Sequence, residues 1–208
     1  MTPLSAWADL IRPQLRGLTK DMMEHAVLDA CIEFCNGSRA WVYPTTISLV
    51  AGTHTYAIPT DTSSTPVGII TAILDGATEY LEEQDARFFD RNISQWRTVA
   101  GEVNYFYRPT FTDVRFVRTP SADVTVNVEV ALRPPLTAEE VPDFLFSQYS
   151  RQIATGAMAD LREMKEKPWS DPARAAADRS DFISHINAAA VNRGRGLTRR
   201  PLRTTTHR

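Results

Sequence analysis

Cysteine is almost missing from this sequence: 208 residues hold two, Cys31 and Cys35. They stand four apart in a stretch with helical spacing, on one face of the helix but in backbone geometry unsuited to a bridge. No second Cys/His pair follows at ligand spacing, so they read as small buried hydrophobes and not as half of a metal site. The fold is therefore expected to need no oxidising compartment. No apolar run approaches the roughly 18 residues of a membrane span, and no membrane partner is expected. Met1-Thr-Pro-Leu-Ser-Ala-Trp7 lacks a basic stretch followed by an apolar one, so no secretory signal is expected. Histidine is scarce as well. His25, His54, His185 and His207 are the four, and none stands in a nucleophile or metal motif. There is no Gly-x-Ser-x-Gly, phosphate loop or dinucleotide fingerprint, and Gly194-Arg-Gly196 is too short to be one.

Acidic residues offer little more chemistry. Glu82, Glu83 and Asp85 cluster before Phe88-Phe89, where two close carboxylates could share acid–base work; the solvated start of a helix is the better reading. Glu139-Glu140 precedes a helix, where negative charge complements the dipole. Asp178 and Asp181 alternate with Arg174 and Arg179 as on an exposed face. No catalytic, cofactor-binding or metal-binding residue is assigned, and no enzyme is expected.

What the chain does have is an ordinary globular composition, 43% hydrophobic and 23% charged, enough for one core with an appended segment. Its net charge of −2 hides an asymmetry. Residues 193–208 hold six arginines and no acid, which leaves 17 of the 23 basic residues against all 25 acids in residues 1–192, a net of −8. A basic arm on an acidic body points to a segment that binds something. Leu197, Pro201 and Leu202 interrupt its arginines with apolar contacts, and it has no aromatic side chain for stacking on single strands. These features favour docking into an acidic protein groove. The alternatives are a solvated end and a nucleic-acid-binding module whose arginines release counterions from phosphate. Without periodicity, the segment in isolation is expected to be disordered.

Along the chain the hydrophobic period changes twice. Leu4 to Leu15 reads as a short helix interrupted by Pro13. Asp21-Met-Met-Glu24 reads as a capping box, with Met23, Val27, Ala30, Cys31 and Phe34 as a helical stripe that ends at Asn36-Gly37. From about residue 45 the period is two. Ile47 and Leu49 before Ala51-Gly-Thr-His54, with Tyr56 and Ile58 after it, predict a hairpin. Val67, Ile69, Thr71 and Ile73 alternate up to Asp75-Gly76, a tight-turn pair. Leu81 to Ile93 reads as a short helix. Val103, Tyr105 and Tyr107 alternate, then Val114 and Phe116. Val124, Val126, Val128, Val130 and Leu132 give the clearest strand, with one wet side. Arg133-Pro134-Pro135 closes the sheet. A long helix starts at Pro142 with Leu145, Tyr149, Ile153, Ala157, Leu161 and Met164 inward, and the small Ala154, Gly156 and Ala157 allow close approach midway. Asp171-Pro172 restarts a helix carrying Ala175, Ala176, Phe182, Ile183, Ile186 and Ala190, which ends around Asn192-Arg193-Gly194. Strands grouped between helices predict an α+β fold: N-terminal helix, antiparallel β region, C-terminal helical hairpin and extended basic tail.

Several of these segments share their order with a known family. They are Cys31-Ile-Glu-Phe-Cys35 leading to Trp41, the Leu49–Pro59 stretch, Arg133-Pro-Pro135, Pro142-Asp-Phe-Leu145, Ile153-Ala-Thr-Gly-Ala157 with Leu161, and Lys167-Pro-Trp-Ser-Asp-Pro-Ala173. Ala176, Phe182 and Ala188-Ala-Ala190 follow. From about residue 20 to 195 the chain resembles head–tail adaptor (connector) proteins of tailed bacteriophages, including the tail tubular protein A type of short-tailed phages. The resemblance implies one structural adaptor domain over residues 1–192, with helical parts 1–44 and 138–192 and a β region 45–135, followed by an arm, 193–208. It implies a homo-oligomer, a dodecameric ring under the portal vertex, at the head–tail junction of the virion and assembled in the host cytoplasm. The implied partners are the portal protein, tail or nozzle proteins, and genomic DNA that passes the channel without sequence-specific binding. Docking on the portal or on a neighbouring subunit would fall to Arg193, Arg195, Leu197, Arg199, Arg200, Leu202 and Arg203.

Overall fold

Where the hydrophobic period is unambiguous it fixes the element, and a computed structural model describes residues 1–61 and 63–195. In chain order it has β1 (Thr2–Pro3), a 3-10 turn (Leu4–Trp7), α1 (Ala8–Ile11), α2 (Lys20–Ser38), β2 (Val42–Leu49), β3 (Thr55–Ala57) and β4 (Thr65–Leu74). Then come β5 (Glu82–Glu83), α3 (Ala86–Asn92), β6 (Ala100–Gly101), β7 (Tyr105–Tyr107), β8 (Asp113–Val117), β9 (Thr119–Pro120) and β10 (Val124–Arg133). The chain continues through β11 (Glu140–Val141), α4 (Asp143–Glu163) and α5 (Pro172–Arg195). Helices bracket a run of strands, and the fold is α+β.

β10 is the centre of an antiparallel β2-β10-β4 sheet. Its valines 126, 128 and 130 are buried while Asn127 and Glu129 are exposed, as strict alternation requires. Against β2 the register runs unbroken from Val124↔Leu49 to Ala131↔Val42. Against β4 it slips twice, after Glu129 and after Ala131. Each slip turns β4 over, so Ile69 and Ala72 are both buried while Val67, Thr71 and Ile73 stay half-exposed.

The predicted 47–58 hairpin does not form. β2 and β3 belong to different sheets, for β3 pairs with β8 in a four-stranded sheet ordered β3-β8-β7-β5. The backbone explains the crossing: Gly52 N–H donates to the Pro120 carbonyl at 3.0 Å and Phe116 N–H to the His54 carbonyl at 2.9 Å. The 52–58 segment is thus satisfied by residues 112–120 and not by β2. Tyr56 holds the corner, its hydroxyl accepting the Val50 N–H at 2.9 Å and donating to the Thr53 carbonyl at 2.9 Å. The Asp75-Gly76 turn is present, with Gly76 at φ 77, but the returning chain makes only an Ile73↔Tyr80 bridge before β5 pairs parallel to β7. Of the helix expected over Leu81–Ile93 only α3 forms, because Asp85 caps it by accepting the Phe88 N–H at 2.6 Å.

Helices α2, α4 and α5 pack over the three-stranded sheet through one core that includes Met23, Phe34, Leu145, Ile153, Leu161 and Phe182. The predicted capping box is absent. α2 starts at Lys20, its N-cap Thr19 makes no side-chain bond, and Glu24 pairs instead with Lys20 at 3.7 Å. Nor does the helix end at Asn36-Gly37. It runs to Ser38 before Arg39 turns left-handed at φ 51. Gly37 is there for packing: a Cβ on it would strike Ile186 of α5. Gly156 of α4 does the same for the Phe182 ring, which an added Cβ would meet at 2.8 Å. The predicted close approach at Ala154–Ala157 is therefore real, and its partner is α5.

α5 departs from its expected stripe. Ala175, Asp178, Phe182, Ile186 and Ala189 face inward, while Ala176 and Ile183 face solvent. Asp178, expected on an exposed face, is buried against α4, where it pairs with Arg162, and its other oxygen lies 3.2 Å from Arg174. Arg179 bridges Glu33 of α2 (2.7 Å) and Asp160 of α4. These charges tie helices together. The helix also outlasts its predicted end and reaches Arg195.

Candidate docking surfaces

The residue types that could support catalysis are spread out or spoken for. His25 and His185 are exposed on separate helices, and His54 sits in the β2–β3 corner, where burial and the adjacent Arg115 hold it below the ordinary imidazole value. Among the described residues no group of three or more His, Cys, Asp or Glu side chains could hold a metal, and no helix is long and apolar enough to cross a membrane. His207 lies outside the described residues. Both cysteines are buried and free, with burial pushing the Cys35 thiol up to about 12. Of the acids before α3, Asp85 caps the helix and Glu83 accepts from Arg108 at 2.9 Å, while Arg108 also donates to the Val67 carbonyl at 2.8 Å. That arginine joins the two sheets. Asp90 is occupied too: Arg97 at 2.7 Å and the Trp96 indole at 2.9 Å hold its carboxyl below the usual range.

Of the residues assigned to the arm, Arg193 sits half-buried in the last turn of α5 and Arg195 is its final residue. Leu197, Arg199, Arg200, Leu202 and Arg203, and the expectation of disorder for them, lie outside the described residues. The direction in which the arm departs is nonetheless set by the fold. Arg179 meets Glu33, Phe182 stacks on Phe34 with centroids 6.4 Å apart, and Ile186 covers Gly37. α5 therefore runs alongside α2 in the same sense and leaves beyond its C-terminal end.

Two surfaces stand out on the body. The first is the outward face of α5, where Ile183 is 47% and Val191 49% exposed. They lie eight apart, on one side of the helix, with the exposed Ala176 one turn before them. α5 is thus apolar on two sides, one already buried. The second is a groove of about 470 Å³ between the first turns of α2, the N-terminal segment and the 136–140 connection. Leu4 and Leu28 are its buried apolar floor, Leu136 stands 71% exposed at its rim, and Asp21, Glu24, Glu139 and Glu140 supply its charge. Sequence reading had given Glu139-Glu140 only the role of dipole partners. The signal for the groove was Leu136, an apolar residue just after Pro134-Pro135 where a polar turn is the norm.

Comparison with known proteins agrees in extent with these features: the family model described as SU10 adaptor protein matches residues 5–205, nearly the whole chain. No curated protein matches it.

Proposed function

The chain belongs to the SU10 adaptor protein family, structural proteins of the phage head–tail junction and not a family of enzymes, and from that premise we propose that it closes into a ring. The ring would join the portal vertex to the tail, or to nozzle proteins below it, and would form part of the DNA channel. Twelve copies is the number implied by the likeness to adaptors of the tail tubular protein A type. The observation that carries ring closure is the second apolar side of α5. Ile183 and Val191 have no packing role within one copy, and a helix apolar on two faces is suited to lying between two bodies. The helical hairpin α4–α5 then supplies the packing between neighbours, and the sheets face the tail parts.

Charge supports the channel role. A body of net −8 repels phosphate, which suits a passage through which DNA slides without sequence-specific binding. The arginine arm acts as a latch on a portal or on a neighbouring copy, and tethering raises the local concentration of the helical body.

The decisive measurement is the mass of the full chain, alone and mixed with portal rings. A ring-sized increment on the portal is expected, and a chain that never associates with portals refutes the reading. The rival reading, a nucleic-acid-binding module built on the same arm, is separated by salt. Phosphate binding falls steeply with ionic strength, whereas docking with apolar anchors falls less.

A further inference from the structure

We propose that the arginine arm of one copy lies in the groove between α2 and the 136–140 connection of the neighbouring copy. The proposal rests on the ring reading above and names the site that receives the latch.

Charge and shape complement each other there. The groove presents Asp21, Glu24, Glu139 and Glu140 over an apolar floor. Among the described residues only Glu24 has an ion-pair partner, Lys20 at 3.7 Å. The arm offers Arg195, Arg199, Arg200 and Arg203 with Leu197, Pro201 and Leu202 between them. Exposed ion pairs alone hold weakly. Leucines that cover Leu136, which is 71% exposed, add the apolar burial that makes such a contact specific. The rest of the body has no comparable use for an exposed leucine beside three unpaired carboxylates.

Reach assigns the arm to a neighbour's groove and not to its own. The groove borders α2 from Lys20 to Leu28, whereas α5 passes α2 at Gly37 and continues nine residues past Ile186 to Arg195. At about 1.5 Å per helical residue, Arg195 stands about 27 Å beyond the near end of its own groove. Extended chain spans at most about 3.6 Å per residue, so Leu197 reaches only about 7 Å back and Arg200 about 18 Å. Neither enters the groove from within. In a ring, where every copy has a neighbour, the same departure carries each arm outward to the next body.

The test uses a fluorescent peptide of residues 195–208 and the full-length chain, read by anisotropy. Saturable binding is expected, weakened at least tenfold by Glu139→Lys/Glu140→Lys and equally by Leu197→Asp/Leu202→Asp in the peptide. The control Asp75→Lys/Glu79→Lys, the same change of charge at exposed positions elsewhere, is expected to leave it unchanged. Because Glu140 lies in β11, the exposed Leu136→Asp serves as a second groove variant that does not touch a strand. Equal affinity for wild-type and groove variants, an equal loss with the control, or no binding at millimolar concentration overturns the proposal. Portal joining, read by mass on the same preparations, keeps the two readings apart. A chain that joins portals while its groove ignores the peptide loses only this proposal. A chain that binds the peptide in the groove but never joins portals loses the ring reading instead.

Discussion

Arg162 and Asp178 meet between α4 and α5 with 9% and 4% of their side chains exposed. Two charges removed from water persist because each answers the other. Gln14 takes a second guanidinium nitrogen at 3.1 Å, and Arg174 approaches the second carboxylate oxygen. Asp178→Ala strands a buried cation and is expected to cost about 3–5 kcal/mol in urea unfolding, whereas Arg162→Met with Asp178→Leu should recover most of that loss. Arg179 is set differently, one guanidinium serving Glu33 and Asp160. Burial pushes the Asp160 carboxyl above its ordinary 3.8; Arg179 opposes this, and Glu33, Asp29 and Glu163 reinforce it. Asp160 therefore binds its proton at higher pH in the fold than in the unfolded chain. Its contribution to stability rises as pH falls through the folded pKa towards 3.8 and is lost above that pKa. Asp160→Asn should remove this rise, which unfolding midpoints taken from pH 7 to pH 4 will measure.

At the scale of elements, the tightest seam is α4 against α5. Gly156→Val would drive two methyl groups into the Phe182 ring and is expected to cost about 1–3 kcal/mol, read as a lower unfolding midpoint. That seam was legible: Ala154, Gly156 and Ala157 are small at consecutive turns, and only a close neighbour rewards that. β10 was legible too, because five apolar residues alternate with no break. The 47–58 hairpin was misread because a turn signal says where the chain bends and not which strand it then pairs with. Pro120 and Phe116, more than 50 residues away, made that choice. The inward face of α5 was misread because Ala176 and Ile183 extend its apolar stripe beyond what one core covers. Asp178 was placed outside because its buried partner, Arg162, is on another helix. For the docking surfaces, the arm's composition was visible in the sequence, but the groove was not. Its residues come from three separate stretches, and only the fold brings Asp21 near Glu139.

For the whole molecule, the body and its contacts separate cleanly. Ile183→Asp/Val191→Asp changes exposed positions, so the unfolding free energy of the isolated chain should move by less than about 0.5 kcal/mol. The mass added to portal rings should fall to nothing. A chain ending after Arg195 keeps every described element and should unfold like the full chain, yet fail to join portals. If that shortened chain joins them normally, the latch role is wrong.

The two cysteines have a practical consequence. Cys31 and Cys35 are the only thiols in the sequence, and both are sealed in the core of α2, so the surface is unreactive to maleimides. A single cysteine introduced at Phe111, 79% exposed on the β7–β8 loop, would take a spin label without removing the native pair. Dipolar spectra of the labelled assembly would then return the spacings between copies, and the set of spacings in a closed ring counts its members.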